Sequence, residues 1–317
     1  MMDLVHGIEA LPLPGEATAV TIGFFDGVHR GHQAVIRRTV DAARPRGVAP
    51  VAVTFDRHPR EVLTPGEEPP LLTTLERKAS LIQDLGVRAL VVLEFTEEFS
   101  RWSPEEFARR VLVDGLNAVH AVVGSNFTFG HKAAGNLAVL SDLGTALGFS
   151  VEGVGLLKLN GRAVSSSSIR EALAQGDLDW PTQALGRRFA VDGRVVAGAG
   201  RGAGLGYPTA NLEVPPRILL PAEGVYAGRA LVGDRPFTAA VNVGTNPTFG
   251  SEPLHVEAHL LDFEGDIRGS AMTVEFWQRL RDERKFDSPQ DLARQIGEDV
   301  VRTREIVEAR SVHSEAP

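Results

Sequence analysis

Cysteine is absent from this 317-residue chain. That excludes disulfides, thiolate metal sites and cysteine nucleophiles together, and it is compatible with a reducing cytoplasm. Positive charge is in short supply. Lys and Arg number 33 against 41 Asp and Glu, for a net charge of -8. A general electrostatic basis for nucleic-acid binding is therefore missing. No stretch approaches the roughly 18 apolar residues of a membrane span. The opening "MMDLVHGIEALPLPGE" has no basic segment followed by an apolar core, so it does not read as a signal peptide. No Gly-Lys-Ser/Thr occurs, which excludes a Walker A loop. What is present is ordinary for a globular chain: 43% hydrophobic and 23% charged residues, with length enough for two domains.

The two halves have different rhythms. In the first, apolar runs at 18–25, 49–55, 88–95, 118–124 and 149–155 alternate with helical patterns at 32–43, 74–86, 103–113 and 135–147. Ser103 is placed to cap its helix, with Pro104 at the first position. This alternation predicts a Rossmann-like α/β domain with a parallel sheet covered on both faces. Ligands of such sheets bind at the carboxyl ends of the strands. From about residue 185 the runs shorten and turns multiply: "FAVDGRVVAG", "GVYAGRALVG", "RPFTAAVNVG", "LHVEAHLLDF", "AMTVEFWQRL". These read as antiparallel strands of a small β-barrel or sandwich. A helical pattern over 288–309 closes the chain. The expected domains are 1–184 and 185–317.

The chemistry-bearing stretch of the first half is "GFFDGVHRGH" (23–32), at the end of the first strand. A helix starting near Arg30 sets His29 and His32 at its N-terminal end. Free N–H groups and the helix dipole favour an anion there. Glycines 23, 27 and 31 let the backbone approach a ligand closely. Taken alone, a turn with two surface histidines is the commoner explanation. Zinc is a further alternative, but it wants three protein ligands. Two other segments change the balance. "VVGSNFTFGHKAAGN" (122–136) places Ser125 and Asn126 at the end of the fourth strand. "VSSSSIREAL" (164–173) offers four serines before a helix and Arg170 in its first turn. Three anion-friendly segments at strand ends of one parallel sheet suit a polyphosphate.

"GFFDGVHRGH" resembles the GxFDGxHxGH signature of the nucleotidyltransferase superfamily, and "VSSSSIR" resembles its ISSTxIR signature. "TFDRHP" (54–59) and "GSNFTFG" (124–130) resemble segments of bacterial FAD synthetases, which are bifunctional riboflavin kinase/FMN adenylyltransferases. The resemblance implies that His29 and His32 contact ATP phosphates and that Arg170 steadies the transition state. It further implies nucleotide or phosphate contacts by Gly23, Phe25, Asp26, Asn126, Ser166 and Ser167. Ser167 stands where the family usually has threonine, and it keeps the hydroxyl.

In the second half the densest glycine segment is "GAGRGAGLGYPTANL" (198–212). Gly198, Gly200 and Ala203 fit the GxGxxA dinucleotide fingerprint, but Pro208, Pro215 and Pro216 deny it the following helix. A flexible loop remains, whose N–H groups are suited to phosphates or simply to a hairpin turn. Thr209 and Asn211 follow with oxygens fit for Mg²⁺. "GLGYPTANL" resembles the PTAN motif of riboflavin kinases, and "VNVGTNPTFG" (241–250) their NIGxNPTF segment. "LHVEAHLLDFEGDIRG" (254–269) resembles the strand bearing their catalytic glutamate, which matches Glu257. His255 and His259 share its strand face by alternation. The resemblance thus implies phosphate contacts by Gly200, Gly202 and Gly204, a Mg²⁺ site at Thr209 and Asn211, and Glu257 as base. It implies riboflavin, FMN and ATP as substrates and FAD as product, without nucleic-acid or membrane partners. It leaves room for a homo-oligomer. Two other readings keep parts of this picture: a nucleotidyltransferase for another phosphorylated metabolite, and a flavin-binding regulator.

Overall fold

A computed structural model describes residues 2–7, 16–198, 201–245 and 254–314. The chain divides into two units, Met1–Ser166 and Ser167–Pro317. Strands β1 (Asp3–His6), β2 (Thr18–Ile22), β3 (Ala49–Phe55), β4 (Ala89–Leu93), β5 (Ala118–Gly124) and β6 (Ser150–Val154) form the sheet of the first unit. Their order is β1-β4-β3-β2-β5-β6, with every pair parallel. Between them run helices α1 (Arg30–Ala43), α2 (Pro59–Leu63), α3 (Leu75–Gln83), α4 (Glu97–Ser100), α5 (Pro104–Phe107) and α6 (Leu137–Leu147). Helix α5 begins where Ser103 Oγ accepts from Glu106 N–H while the Glu106 carboxylate accepts from Ser103 N–H. It continues as a π-helical segment, Ala108–Gly115.

Neighbouring residues of the strands serve opposite faces. Val91 packs with Val20, Val53, Val111 and Leu140 on one face, whereas Leu90 and Val92 pack with Ile36 and Ile82 on the other. Each fully buried Leu or Ile contributes roughly 1.5–3 kcal/mol. The chain winds from β2 through β3 to β4, then crosses to β5 on the other side of β2. This reversal leaves a crevice at the carboxyl ends of β2 and β5. Both "GFFDGVHRGH" and "GSNFTFG" emerge there.

A short hairpin, β7 (Lys158–Leu159) and β8 (Arg162–Ala163), leads to α7 (Ser166–Ala174) and α8 (Asp179–Leu185). The expectation that the serines precede the helix is corrected. Ser166, Ser167 and Ser168 are its first turn, because the chain turns helical directly after Ser165, and Arg170 falls in the second turn.

In the second unit β9 (Phe189–Val196), β10 (Ala210–Glu213), β11 (Gly224–Val232), β12 (Arg235–Gly244), β13 (His255–Leu260) and β14 (Ala271–Arg281) close as an antiparallel barrel. The order is β10-β13-β12-β11-β14-β9, so the open choice between barrel and sandwich resolves as barrel. Gly228 sits at a register shift where a Cβ would lie 2.2 Å from the Glu275 carbonyl oxygen. Helix α9 (Arg201–Gly204) gives part of the glycine segment a helical turn in place of the expected flexible loop. Helix α10 (Pro289–Ser314) packs on β11, β12 and β14. Its start is capped by Ser288 Oγ, which accepts from Asp291 N–H. Among the described residues no helix is long and apolar enough to cross a membrane.

Candidate active sites

The first site begins with a turn that L-residues resist. Phe25, Gly27 and Val28 have φ of 52°, 76° and 40°, in the left-handed region. Such a turn persists only where its surroundings over-determine it, and here they do. The buried Asp26 carboxylate accepts from Leu72 N–H at 2.9 and 3.1 Å and from Thr73 N–H at 3.3 Å. Gly27 N–H donates to Thr73 Oγ1, and Ser166 Oγ donates to the Asp26 carbonyl at 3.0 Å. Asp26 therefore spends its charge on the backbone of residues 72 and 73. A Cβ on Gly23 would sit 2.7 Å from the Phe25 ring.

His29 caps α1, with Nδ1 accepting from His32 N–H at 3.2 Å. The two imidazoles stack with centroids 3.5 Å apart and planes 18° apart, and Phe25 meets His32 edge-on. Burial first, then the His29 imidazole and the Lys78 ammonium, hold His32 well below the ordinary imidazole value. His32 is thus neutral near pH 7. Asn126 lies exposed just beyond β5, where Ser125 N–H bonds to the Val154 carbonyl. Ser166 is brought to the turn by its bond to Asp26. Ser167 and Arg170 follow on α7, with Arg170 on the same helix face as Ser166.

Lys78 was missed in the sequence. It is buried on α3, donates to Thr54 Oγ1 at 3.3 Å and lies 4.2 Å from the Phe24 ring centroid. Burial lowers its pKa to about 8, with Asp26 opposing. The signal was its place on the apolar stripe Leu75, Lys78, Ala79, Ile82, at helical spacing.

The second site lies on the outer wall of the barrel. Val256, Ala258 and Leu260 point inward and are buried, while His255, Glu257 and His259 take the opposite face. Asn211 on β10 and Asn242 on β12 stand directly across from Glu257. Thr209 Oγ1 donates to Glu257 Oε2 at 3.3 Å, and His255 Nε2 is 3.5 Å from Oε1. His259 Nδ1 donates to the Pro208 carbonyl at 2.8 Å. A cavity of about 240 Å³ lies between this wall and α10, lined by Thr209, Glu257, Phe286, Leu292 and Ile296 among others. A second, of about 660 Å³, is lined by Gly198, Ala203, Pro208, Thr209 and residues 263–268. Thr209 lines both.

Gly202 borders the smaller cavity, and a Cβ there would meet the Tyr207 carbonyl at 2.3 Å. Gly204 has open space around it. Gly200 lies outside the described residues, as does most of the "TNPTFG" segment. A Cβ on Gly198 would fall 2.0 Å from Asn211 Nδ2, so glycine is what lets that amide close over the turn. Arg281 pairs with buried Asp299 at 3.0 and 2.8 Å, and Gln295 donates to the same carboxylate. This network ties α10 to the end of β14.

Comparison with known proteins agrees with both halves. Residues 13–168 match the family model for FAD synthetase, and residues 185–307 match that for riboflavin kinase. The chain is 39% identical to a bifunctional riboflavin kinase/FMN adenylyltransferase of Pseudomonas fluorescens, over 98% of this chain and all of that one. It is 36% identical to the Bacillus subtilis protein of the same name, over 89% of this chain and 90% of that one. A solved structure from Streptococcus pneumoniae, described as a macrolide-efflux protein, superimposes with a TM-score of 0.87 at 30% identity. It covers 96% of this chain and 99% of its own. The chain belongs to the family of bifunctional riboflavin kinase/FMN adenylyltransferases.

Proposed function

We propose that the protein phosphorylates riboflavin to FMN in its barrel unit and joins FMN to AMP in its α/β unit, with the functional division at 184/185. The observation that carries the kinase half is the meeting of two cavities at Thr209, beside a carboxylate. We assign the smaller, apolar-walled cavity to the flavin and the larger to ATP. Glu257 takes the proton from the ribityl 5′-hydroxyl. The hydroxyl oxygen bonds to the γ-phosphorus, the bond to the β-phosphate oxygen breaks, and ADP leaves. A positioned general base of this kind contributes about 10²–10⁴-fold. Alignment of the reactants supplies much of the remainder.

In the α/β unit the FMN phosphate is already an anionic nucleophile and needs no base. Its oxygen bonds to the α-phosphorus of a second ATP, the bond to the β-phosphate breaks, and FAD and pyrophosphate form. His29, His32, Ser166, Ser167 and Arg170 are assigned to the phosphates. Neutral imidazoles donate hydrogen bonds, and the Arg170 guanidinium adds the charge.

The Thr209 hydroxyl, Asn211 amide oxygen and Glu257 carboxylate form an all-oxygen donor set near one another, which suits Mg²⁺. Among the described residues no group of three or more His, Asp and Glu makes an all-protein cage. Mg²⁺ is commonly held by one or two protein oxygens together with substrate phosphates. Thr209 and Asn211 are the residues assigned to hold it. When bound, Mg²⁺ supplies charge neutralisation on the phosphates. We place both reactions in the cytoplasm.

The test is a panel of acceptors with ATP and Mg²⁺, read by pyrophosphate release. FMN alone should release pyrophosphate. Release with phosphopantetheine or nicotinamide mononucleotide in its place would favour the other nucleotidyltransferase reading. No release with any acceptor would favour a flavin-binding regulator.

A further inference from the structure

Only four of the 33 cationic side chains are lysine: Lys78, Lys132, Lys158 and Lys285. The last three are exposed, whereas Lys78 is 3% exposed. Burying an ammonium is costly unless it is paired or hydrogen-bonded. What Lys78 gains is all in one place. Its Nζ donates to Thr54 Oγ1, and the Thr54 hydroxyl donates to the Phe24 carbonyl at 3.0 Å. The same Nζ lies over the Phe24 ring, and Asp26 supplies the attractive negative charge. Every one of these partners leads to the Phe24–Asp26 turn that delivers His29 and His32.

The histidines show why a fixed cation there is useful. His29 Nδ1 accepts a hydrogen bond, so its proton is on Nε2. His32 Nδ1 is buried with no partner, so a proton there would be a bare buried N–H. Two neutral rings with Nε2–H can stack at 3.5 Å and donate to phosphate oxygens, whereas charge on both would drive them apart. The charged or titratable groups acting on His32 are His29, which caps its helix, and Lys78 on α3, and Asp26 on the turn acts in turn on Lys78.

We propose that Lys78 is a positioning residue for adenylyl transfer: its buried ammonium braces the Phe24–Asp26 turn through Thr54 and the Phe24 ring, so that the stacked histidine pair keeps its phosphate-donating geometry. The inference rests on the assignment of FMN adenylylation to the α/β unit.

The test uses the full chain with Lys78→Met and Lys78→Arg. His32 is followed by histidine NMR titration, and both reactions are timed. In Lys78→Met the His32 pKa should rise, because the Lys78 ammonium holds it down after burial and His29. The kcat for FMN adenylylation should fall about tenfold at pH 7, with KM for FMN changed less than about threefold. Riboflavin phosphorylation should be unchanged, which shows that the chain is folded. Lys78→Arg keeps the charge and should keep His32 at its unmutated value. If Lys78→Met adenylylates FMN at the unmutated rate, or if Arg behaves like Met, the proposal is overturned. Should Lys78→Met not fold, NMR titration of Lys78 in the unmutated protein decides. A value near 8 upholds the buried cation, and the ordinary lysine value of about 10.5 overturns it. If unmutated protein makes no FAD from FMN, the activity assignment fails, while the His32 titration still tests the Lys78 linkage.

Discussion

In the α/β unit, the two histidines are set together by neighbours in sequence, on a turn that more distant residues hold. His29 caps the helix that carries His32, three residues on, and the preceding turn is locked by Asp26. In the barrel unit, Thr209 directly precedes β10 and Glu257 lies on β13, and they meet only because β10 pairs with β13 in one register. The first site is a local device on a rigid sheet. The second is a product of barrel closure, and its smaller cavity is completed by α10, from far along the chain. A change of pairing by one residue would turn Glu257 into the barrel interior, whereas the histidine pair has no such vulnerability. The histidine pair depends on the few groups that lock its turn, and the composite barrel site inherits the stability of everything that aligns it.

The largest effect should separate the two sites outright. Glu257→Gln should lower the rate of FMN formation by about 10³-fold or more while FMN-to-FAD conversion continues. Joint loss in a folded variant would contradict the division into two sites. The reciprocal variant, His29→Ala with His32→Ala, should cost FMN adenylylation about 10²–10³-fold and spare riboflavin phosphorylation. Both are read on a chromatogram of flavins.

The dependence of the barrel site on α10 is tested through Arg281→Met. It leaves the buried Asp299 carboxylate without its cation, which should cost about 3 kcal/mol. Kinase activity should become heat-labile at temperatures where FMN adenylylation persists.

A smaller effect is expected from pH. The folded-state pKa of His32 lies well below 6.5 and its unfolded-state value lies near 6.5. Between the two, the unfolded chain binds the extra proton. Stability from this group is therefore full above about pH 6.5 and declines as pH falls through that window. Thermal unfolding of the α/β unit should show this slope, and His32→Gln should flatten it. The smallest effect belongs to the exposed Arg304–Asp262 pair. Arg304→Ala should leave both activities and the Tm unchanged within error.

The same contrast explains what could be read from the residues alone. Strands β3 and β5 match the expected 49–55 and 118–124 at both ends, because their long apolar runs lie between helices on both faces. The histidine turn was legible because its glycines and its helix start are consecutive. Strand β1, "DLVH", was not, since four residues carry no pattern and only their pairing with β4 makes them a strand. Strand β10, "ANLE", likewise exists through its neighbours β9 and β13. Alternation placed Glu257 beside His255 and His259 on one face, but nothing in the spacing brings Thr209, 48 positions away, to its carboxylate. Only family resemblance singled out Glu257 beforehand. The serine run was misplaced by one turn because serine both caps and begins helices.

The central claim is that one chain carries riboflavin to FMN and then to FAD at two sites. A time course of unmutated protein with riboflavin, ATP and Mg²⁺ tests it most directly. FMN should rise first and then decline as FAD accumulates, and supplied FMN should be converted without delay. Riboflavin left untouched, or supplied FMN yielding no FAD, would contradict it.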